Sequence, residues 1–168
     1  GTNDLAVAEG AAFDALGERC TVGDLTGTGT LSNGVIAVTG TLDPGTNGAP
    51  AGAAMTVQHL ALTDGAVLAC PWSTNSLGQI TCDSVTVTGS LTVEGPGRFD
   101  LGCTEAAPIP MPFSLTVMTY GSFSGTFAGW KAVNTGLPEG KATATLVETA
   151  AGQVTLHVRY SGTLLLVQ

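Results

Sequence analysis

Few residues in this 168-residue chain could do acid–base or nucleophilic chemistry. The two histidines, His59 and His157, each lie in a stretch where apolar and polar residues alternate, the pattern of a β-strand. The Gly-x-Ser-x-Gly context of a serine nucleophile is absent, because residues 121–125 read Gly-Ser-Phe-Ser-Gly with a different spacing. Both histidines are therefore predicted to be ordinary strand residues, and the sequence assigns no catalytic residue.

Three acidic residues share a local context that raises the question of a cation or carbohydrate site. Glu9, Asp64 and Glu94 each directly precede a glycine, and stacked repeats in register would bring them together. Sugar hydrolysis requires paired carboxylates, so a polysaccharide-binding or polysaccharide-cleaving protein is the alternative function. An acid–glycine pair is also a frequent turn, and the Gly-Gly-x-Gly-x-Asp calcium repeat is absent. We expect corner residues here, with no metal and no cofactor.

The four cysteines are the other reactive groups, and their wide spacing argues against zinc. Four cysteines allow three disulfide pairings. We favour a Cys70–Cys82 bridge, which would close the loop that carries Trp72 and would leave Cys20 to pair with Cys103. Buried free thiols are the alternative.

Charge and composition exclude one class of protein and indicate a location. With thirteen acids, five basic residues and a net charge of −8, the chain has no basic patch for phosphates, which excludes nucleic-acid binding. No apolar run reaches the roughly 20 residues that span a bilayer. The first ten residues lack the basic and apolar regions of a signal peptide. An even number of cysteines in a lysine-poor chain favours an extracellular or cell-surface location.

The elements that would position these residues are short strands, shown best by residues 84–101. Val85 and Val87 alternate with Thr86 and Thr88, Gly89 and Ser90 interrupt the pattern, and apolar alternation resumes afterwards. The pattern predicts that one set of side chains faces inward: Val85, Val87, Leu91, Val93, Phe99 and Leu101. Threonines 86, 88 and 92 should face outward.

This unit recurs along the chain, and the recurrence predicts the architecture. Leu91-Thr-Val-Glu-Gly resembles Leu60-Ala-Leu-Thr-Asp-Gly and Leu5-Ala-Val-Ala-Glu-Gly, and Ile36-Ala-Val-Thr-Gly-Thr-Leu resembles Val85-Thr-Val-Thr-Gly-Ser-Leu. We expect one all-β domain over 1–168, with β-helical rungs over 1–107. A proline-rich bend follows at 108–112, and terminal strands with a hairpin occupy 113–168.

Taken together, LTGTGTLSNGVIAVTGTLDPG, DSVTVTGSLTVEGPGRFDLG and ATATLVETAAGQVTLHV resemble the autotransporter-type β-strand repeats of large bacterial surface proteins. The resemblance covers nearly the whole chain. It implies an irregular, mainly parallel, right-handed β-helix used as a stalk, adhesin or passenger, and it says little about activity. Surface glycans are a partner compatible with it.

The last strand suggests how such a domain would assemble. Thr163, Leu164, Leu165, Leu166 and Val167 form a strand that is apolar on both faces and must be covered on both. It is either buried within its own domain or added to the first strand of another copy, at Leu5, Ala6 and Val7. The second arrangement gives a head-to-tail homopolymer, so we expect a structural protein that forms a fibre, stalk or filament.

Threonine pairs leave one further alternative, an ice-binding protein. Thr26, Thr28 and Thr30, Thr39 and Thr41, and Thr86 and Thr88 form Thr-x-Thr pairs. Outward arrays of threonine occur in ice-binding β-helices, but high β-propensity on a solvent-exposed face explains the same pairs. The uneven spacing of the pairs along the sequence argues against a flat lattice.

Overall fold

The computed structural model describes residues 3–45, 52–74, 79–102, 112–133, 142–149 and 152–161, and within these residues it contains sixteen β-strands and no helix. The strands are β1 (Leu5–Val7), β2 (Ala12–Asp14), β3 (Arg19–Val22), β4 (Leu25–Gly27), β5 (Thr30–Val38), β6 (Thr41–Asp43), β7 (Ala54–Leu62), β8 (Val67–Ala69), β9 (Trp72–Thr74), β10 (Ile80–Cys82), β11 (Ser84–Val93), β12 (Arg98–Asp100), β13 (Phe113–Ser124), β14 (Lys131–Val133), β15 (Ala142–Thr149) and β16 (Gln153–Tyr160).

These strands form two large sheets in which most pairs are parallel. The six-stranded sheet has the order β1-β4-β6-β8-β12-β14. The eight-stranded sheet has the order β2-β5-β7-β11-β13-β16-β15, with β3 also paired to β5. From β4 to β8 the chain alternates strictly between the two sheets. The prediction of an all-β, mainly parallel fold is confirmed for the described residues.

Rows of apolar side chains, in register from strand to strand, form the buried core on the inner face of each sheet. In the six-stranded sheet, Leu25, Leu42, Leu68 and Phe99 pair in succession and each is at most 1% exposed. In the eight-stranded sheet, Leu31, Val57 and Val87 form an equivalent row. The six side chains predicted to face inward from residues 84–101 are all buried. Of the three threonines predicted to face outward, Thr86 and Thr88 are exposed and Thr92 is half-buried. This alternation was therefore predicted correctly.

The interruption at Gly89 is a bulge within one strand, β11, and not a corner between two strands. Val87 pairs with Val57 and Leu91 with Leu60, so β11 has one residue more than β7 between these pairs. Glycine is needed here because a Cβ at position 89 would lie 2.5 Å from the His59 ring. The equivalent irregularity in β5 contains Asn33, whose φ is +53°.

The internal repeats are only partly in register. Leu91 and Leu60 are paired, as their similar sequences predict. Leu5, however, lies on the other sheet and pairs with Leu25. Ile36 pairs with Leu60, so the Ile36–Leu42 and Val85–Leu91 sequences are not stacked residue for residue. Similar local sequences have similar strand propensity, but the strand pairing and its bulges determine which residues of neighbouring strands lie opposite each other.

Two hairpins interrupt the parallel arrangement. β15 and β16 pair antiparallel throughout, which confirms the predicted C-terminal hairpin. β9 and β10 form a second antiparallel pair, in the segment expected to be the loop that carries Trp72. The buried Trp72 side chain anchors this second hairpin, and its ring lies 5.1 Å from that of Phe113. The proposed bend at 108–112 lies almost wholly outside the described residues.

Candidate functional site

The first strands of both sheets leave one edge open among the described residues. β1 pairs only with β4, while β2 and β3 both pair only with β5. The Leu5 N–H donates to Asp24 O, and Val7 O accepts from the N–H groups of Thr28 and Gly29. Alternate residues of a parallel strand bond to opposite sides. The N–H and C=O of Ala6 therefore point to the open side, where a further strand can bind.

The other end of the molecule has a matching open edge in each sheet. β14 pairs only with β12, and β15 only with β16, within the described part of the chain. β16 is antiparallel to β13 and β15 is antiparallel to β16, so β15 points in the same direction as β13. Both edge strands can thus continue a parallel sheet. The predicted donor strand, residues 163–167, lies outside the described residues.

The cysteines differ from the favoured prediction, because the structure has Cys20, Cys70 and Cys82 as free thiols. No Cys70–Cys82 bridge is formed, and Cys103 lies outside the described residues. The Cys70 Sγ lies 3.9 Å from Leu68 O, whereas the Cys82 Sγ lies 3.7 Å from Thr116 O. The two sulfurs therefore contact different carbonyls. Burial is the largest cause that raises the pKa of both thiols, that of Cys82 to about 11.

Two carboxyl groups beside these thiols form an acidic cluster with no compensating cation among the described contacts. Asp83 is 4% exposed and accepts hydrogen bonds from the N–H groups of Gly52 and Ala53, at 2.6 and 2.7 Å. Burial raises the pKa of Asp83 and that of Asp43, and the charge of Asp43 raises the pKa of Asp83 further. Gly45 lies between them, where a Cβ would be 2.7 Å from an Asp83 oxygen.

Each histidine contacts a serine. The His59 Nδ1 lies 2.8 Å from Ser90 Oγ and accepts from the Ser90 N–H, and the His157 Nδ1 lies 2.7 Å from Ser114 Oγ. Neither ring hydrogen bonds to a carboxylate in the described residues, so no catalytic triad is assembled there. These bonds connect neighbouring strands, as predicted for ordinary strand residues.

The three acid–glycine positions are not brought together. Both carboxylate oxygens of Glu94 lie 2.9 Å from the Nη2 of Arg19, which donates to them. Asp64 lies at the corner beside Gly95, and Glu9 follows β1 at the end of the other sheet. Among the described residues, no group of three His, Cys, Asp or Glu side chains could hold a metal ion.

The structure also assembles a row that the sequence pattern did not identify. Thr30, Thr56, Thr86 and Thr119 pair in succession across β5, β7, β11 and β13. Only Thr30 and Thr86 belong to the Thr-x-Thr pairs of the sequence. Their uneven sequence spacing does not prevent this alignment, because insertions between strands absorb the difference. Thr56 and Thr119 each lie in a stretch of alternating apolar and polar residues, and this alternation was the sequence signal that could have placed them on the outer face.

Comparison of the chain with family models, curated protein sequences and solved structures found no match. In the part of the chain that the structure describes, no helix is long and apolar enough to cross a membrane.

Proposed function

We propose that this chain is a structural module of an extracellular fibre or stalk, and that copies stack head to tail through their open sheet edges. The observation that carries the proposal is the pair of edges at opposite ends, each able to accept a parallel strand. Unpaired strand edges bind further strands unless they are blocked. Of the two edge strands at the C-terminal end, β15 presents more backbone for strand pairing than β14, since it has eight residues and only one charged side chain, Glu148.

The module is proposed to wind as an irregular, mainly parallel, right-handed β-helix with a C-terminal hairpin. The alternation of the chain between two sheets supports this winding, as do the in-register apolar rows. The row of the six-stranded sheet runs from Leu5 through Leu25, Leu42, Leu68 and Phe99 to Ala132 of β14. A neighbouring copy would extend it, because Leu5 of the next copy would follow Ala132. A contact between unlike ends does not close on itself, so it produces a filament.

The extracellular location and the bacterial surface role are part of the same proposal. They are supported by the low charged fraction of 11%, the few lysines and the resemblance to surface-protein repeats. The edge at Leu5, Ala6 and Val7 is the proposed acceptor. The donor is the C-terminal end of a second copy, with residues 163–167 as the proposed added strand. In that end β14 is the open edge of the sheet that begins with β1, and β15 is the open edge of the sheet that begins with β2 and β3.

The edge contact is tested by a proline that affects only the open side of β1. Ala6→Pro removes the N–H that faces outward and leaves the bonds of Leu5 and Val7 to their neighbours. We expect the unmodified chain to form filaments at high concentration and the proline variant to remain a folded monomer. Ala6→Ser keeps the N–H and is the matched control, which should assemble normally.

Sedimentation velocity, negative-stain microscopy and circular dichroism measure these outcomes. Deletion of residues 163–168 should also abolish the polymer and leave a soluble β-rich monomer. The proposal is wrong if the unmodified chain stays monomeric at high concentration, or if Ala6→Pro assembles as the unmodified chain does.

The threonine row favours a second candidate, binding of an ordered, hydroxyl-rich surface such as a polysaccharide or ice. Hydroxyls on neighbouring strands repeat at about 4.8 Å, the separation of strands in a sheet. Thr86→Tyr, which places a bulky ring in the middle of the row, should abolish such binding. Thermal-hysteresis and polysaccharide co-sedimentation assays that read zero with the unmodified chain would eliminate this candidate.

A further inference from the structure

The exposed charges of the first strand layer differ in sign from those of the last strands. Residues 3–22 have four exposed carboxylates, Asp4, Glu9, Asp14 and Glu18, against one arginine, Arg19. Arg19 is already paired with Glu94 of another layer. The side-chain carboxylates of Glu9 and Glu18 make no hydrogen bond or ion pair with any other described residue. The first layer, which we call the acidic end, is therefore an open, negatively charged surface.

The opposite surface, which we call the basic end, has an excess of cations among the described residues from 112 onward. Lys131 on β14 and Arg159 on β16 are exposed, and the single carboxylate, Glu148, accepts a hydrogen bond from the Phe127 N–H. This arrangement stands out in a chain whose net charge is −8.

Lys131 of the basic end has a second cation, Arg98, beside it on β12, and neither has an ion-pair partner among the described residues. Arg98 and Lys131 are direct partners in the parallel pair of β12 and β14, and together with Gly65, Pro96, Gly97 and Gly129 they line a shallow depression. Like charges opposite each other on a sheet repel. No acid among the described residues forms an ion pair with either side chain. A carboxylate from outside would relieve this repulsion.

The large exposed apolar side chains of the described residues lie in the first and last strands. The three large hydrophobic residues that are exposed in the described chain are Leu16 in the first layer, Val147 on β15 and Tyr160 on β16. Leu16 is 77% exposed and has φ +55°, in the left-handed region that a leucine rarely adopts. The Leu16 N–H donates to Asp14 Oδ1, which holds this turn in place.

We infer that the acidic end of one copy docks on the basic end of the next, with Glu9 and Glu18 attracted by Lys131 and Arg159 and with Leu16 as the apolar contact. The inference rests on the proposed function, and it adds a reason for the direction of stacking, which the open edges alone do not specify. Strand pairing supplies affinity, whereas opposite charges at the two ends select head-to-tail stacking over contacts between like ends. The partner is a second copy of this chain.

Charge exchange at each end tests the inference with the full chain. The head variant carries Glu9→Lys and Glu18→Lys, and the tail variant carries Lys131→Glu and Arg159→Glu. In the head variant two lysines replace the carboxylates proposed to face the basic end, and in the tail variant two carboxylates replace the cations proposed to face them. Like charges would then oppose each other at the contact, so neither variant should assemble alone. An equimolar mixture pairs unlike ends at every contact and should form alternating filaments. Asp64→Lys, at an exposed corner between the ends, is the control and should assemble normally.

Salt and the apolar contact give two further measurements. Raising NaCl from about 0.1 M to about 1 M shortens the screening length from about 10 Å to about 3 Å. The critical concentration of the unmodified chain should rise about tenfold, the effect of two or three exposed ion pairs. Leu16→Asn should raise it several-fold and leave the fold intact, because asparagine tolerates a positive φ.

The outcomes separate this inference from the proposed function. Charge variants that are folded by circular dichroism and assemble like the unmodified chain would overturn the inference alone, provided that Ala6→Pro still blocks filaments. Folded variants whose mixture fails to assemble would also overturn it. An unmodified chain that is monomeric at every salt concentration would overturn the proposed function, and the inference with it.

Discussion

Replacing Val87 by alanine measures how firmly the alternation in β11 specifies the fold. Val87 is 1% exposed and pairs with Val57 on one side and Tyr120 on the other. Its neighbour Thr86 is exposed and belongs to the outward threonine row. The two residues share one strand and nearly the same strand neighbours, so Thr86→Ala is a control that differs chiefly in the direction of the side chain.

The magnitude follows from what the substitution removes. Valine to alanine deletes two buried methyl groups, each worth about 0.8 kcal/mol of transfer free energy. A cavity between β7 and β13 adds to this loss, because surrounding side chains relax only partly. We expect Val87→Ala to lower the free energy of unfolding by about 1–3 kcal/mol. Thr86→Ala should lower it by less than about 0.5 kcal/mol.

Urea unfolding followed by tryptophan fluorescence measures the difference. The buried side chains of Trp72 and Trp130 report on the fold. With an m value of about 2 kcal/mol/M, a loss of 2 kcal/mol moves the midpoint by about 1 M. The m value should be the same in both variants. Equal losses at the two positions would refute the assigned period and with it the packing of β11.

Two predictions concern the thiols and the buried acids. Without reductant, the denatured chain should titrate at least three thiols, and fewer than three would mean a bridge such as the predicted Cys70–Cys82. Cys82 should react about a hundredfold more slowly in the folded chain than in the denatured chain, because a pKa of about 11 leaves little thiolate. The folded-state pKa values of Asp43 and Asp83 are raised, so the stability linked to their protonation is complete below about pH 3.9, their unfolded value, and is lost as pH rises through the folded values. Asp83→Asn should therefore flatten the decline of the urea midpoint above about pH 4. An unchanged slope in this variant would contradict the assignment.

The threonine row shows why sequence spacing was a poor guide to the surface. Thr30 and Thr56 are 26 positions apart and Thr86 and Thr119 are 33 apart, yet each pair is directly opposite. Register depends on bulges and on the lengths of the connections, which a single sequence does not define. The same reason explains why Leu5 was aligned with the wrong repeat.

The buried acid cluster was not predicted at all. Asp83 follows an ordinary-looking strand, and its sequence neighbours give no sign that it is 4% exposed. Its partners, the N–H groups of Gly52 and Ala53, are 31 and 30 residues away along the chain. Burial of a polar group depends on such distant contacts, so the cluster appears only once the strands are packed.

The sequence by itself determined the all-β class, the inward face of residues 84–101 and the C-terminal hairpin. Each of these depends on the two-residue period of a strand and on nearby turn residues, which are local properties. Tertiary structure alone decided that Cys20, Cys70 and Cys82 are unpaired and that the repeats are staggered. It also placed unlike charges at opposite ends, because residues 9 and 18 and residues 131 and 159 are separated by the whole stack of strands. Such a separation follows from the order of strands in the sheets, which involves contacts between residues far apart in sequence.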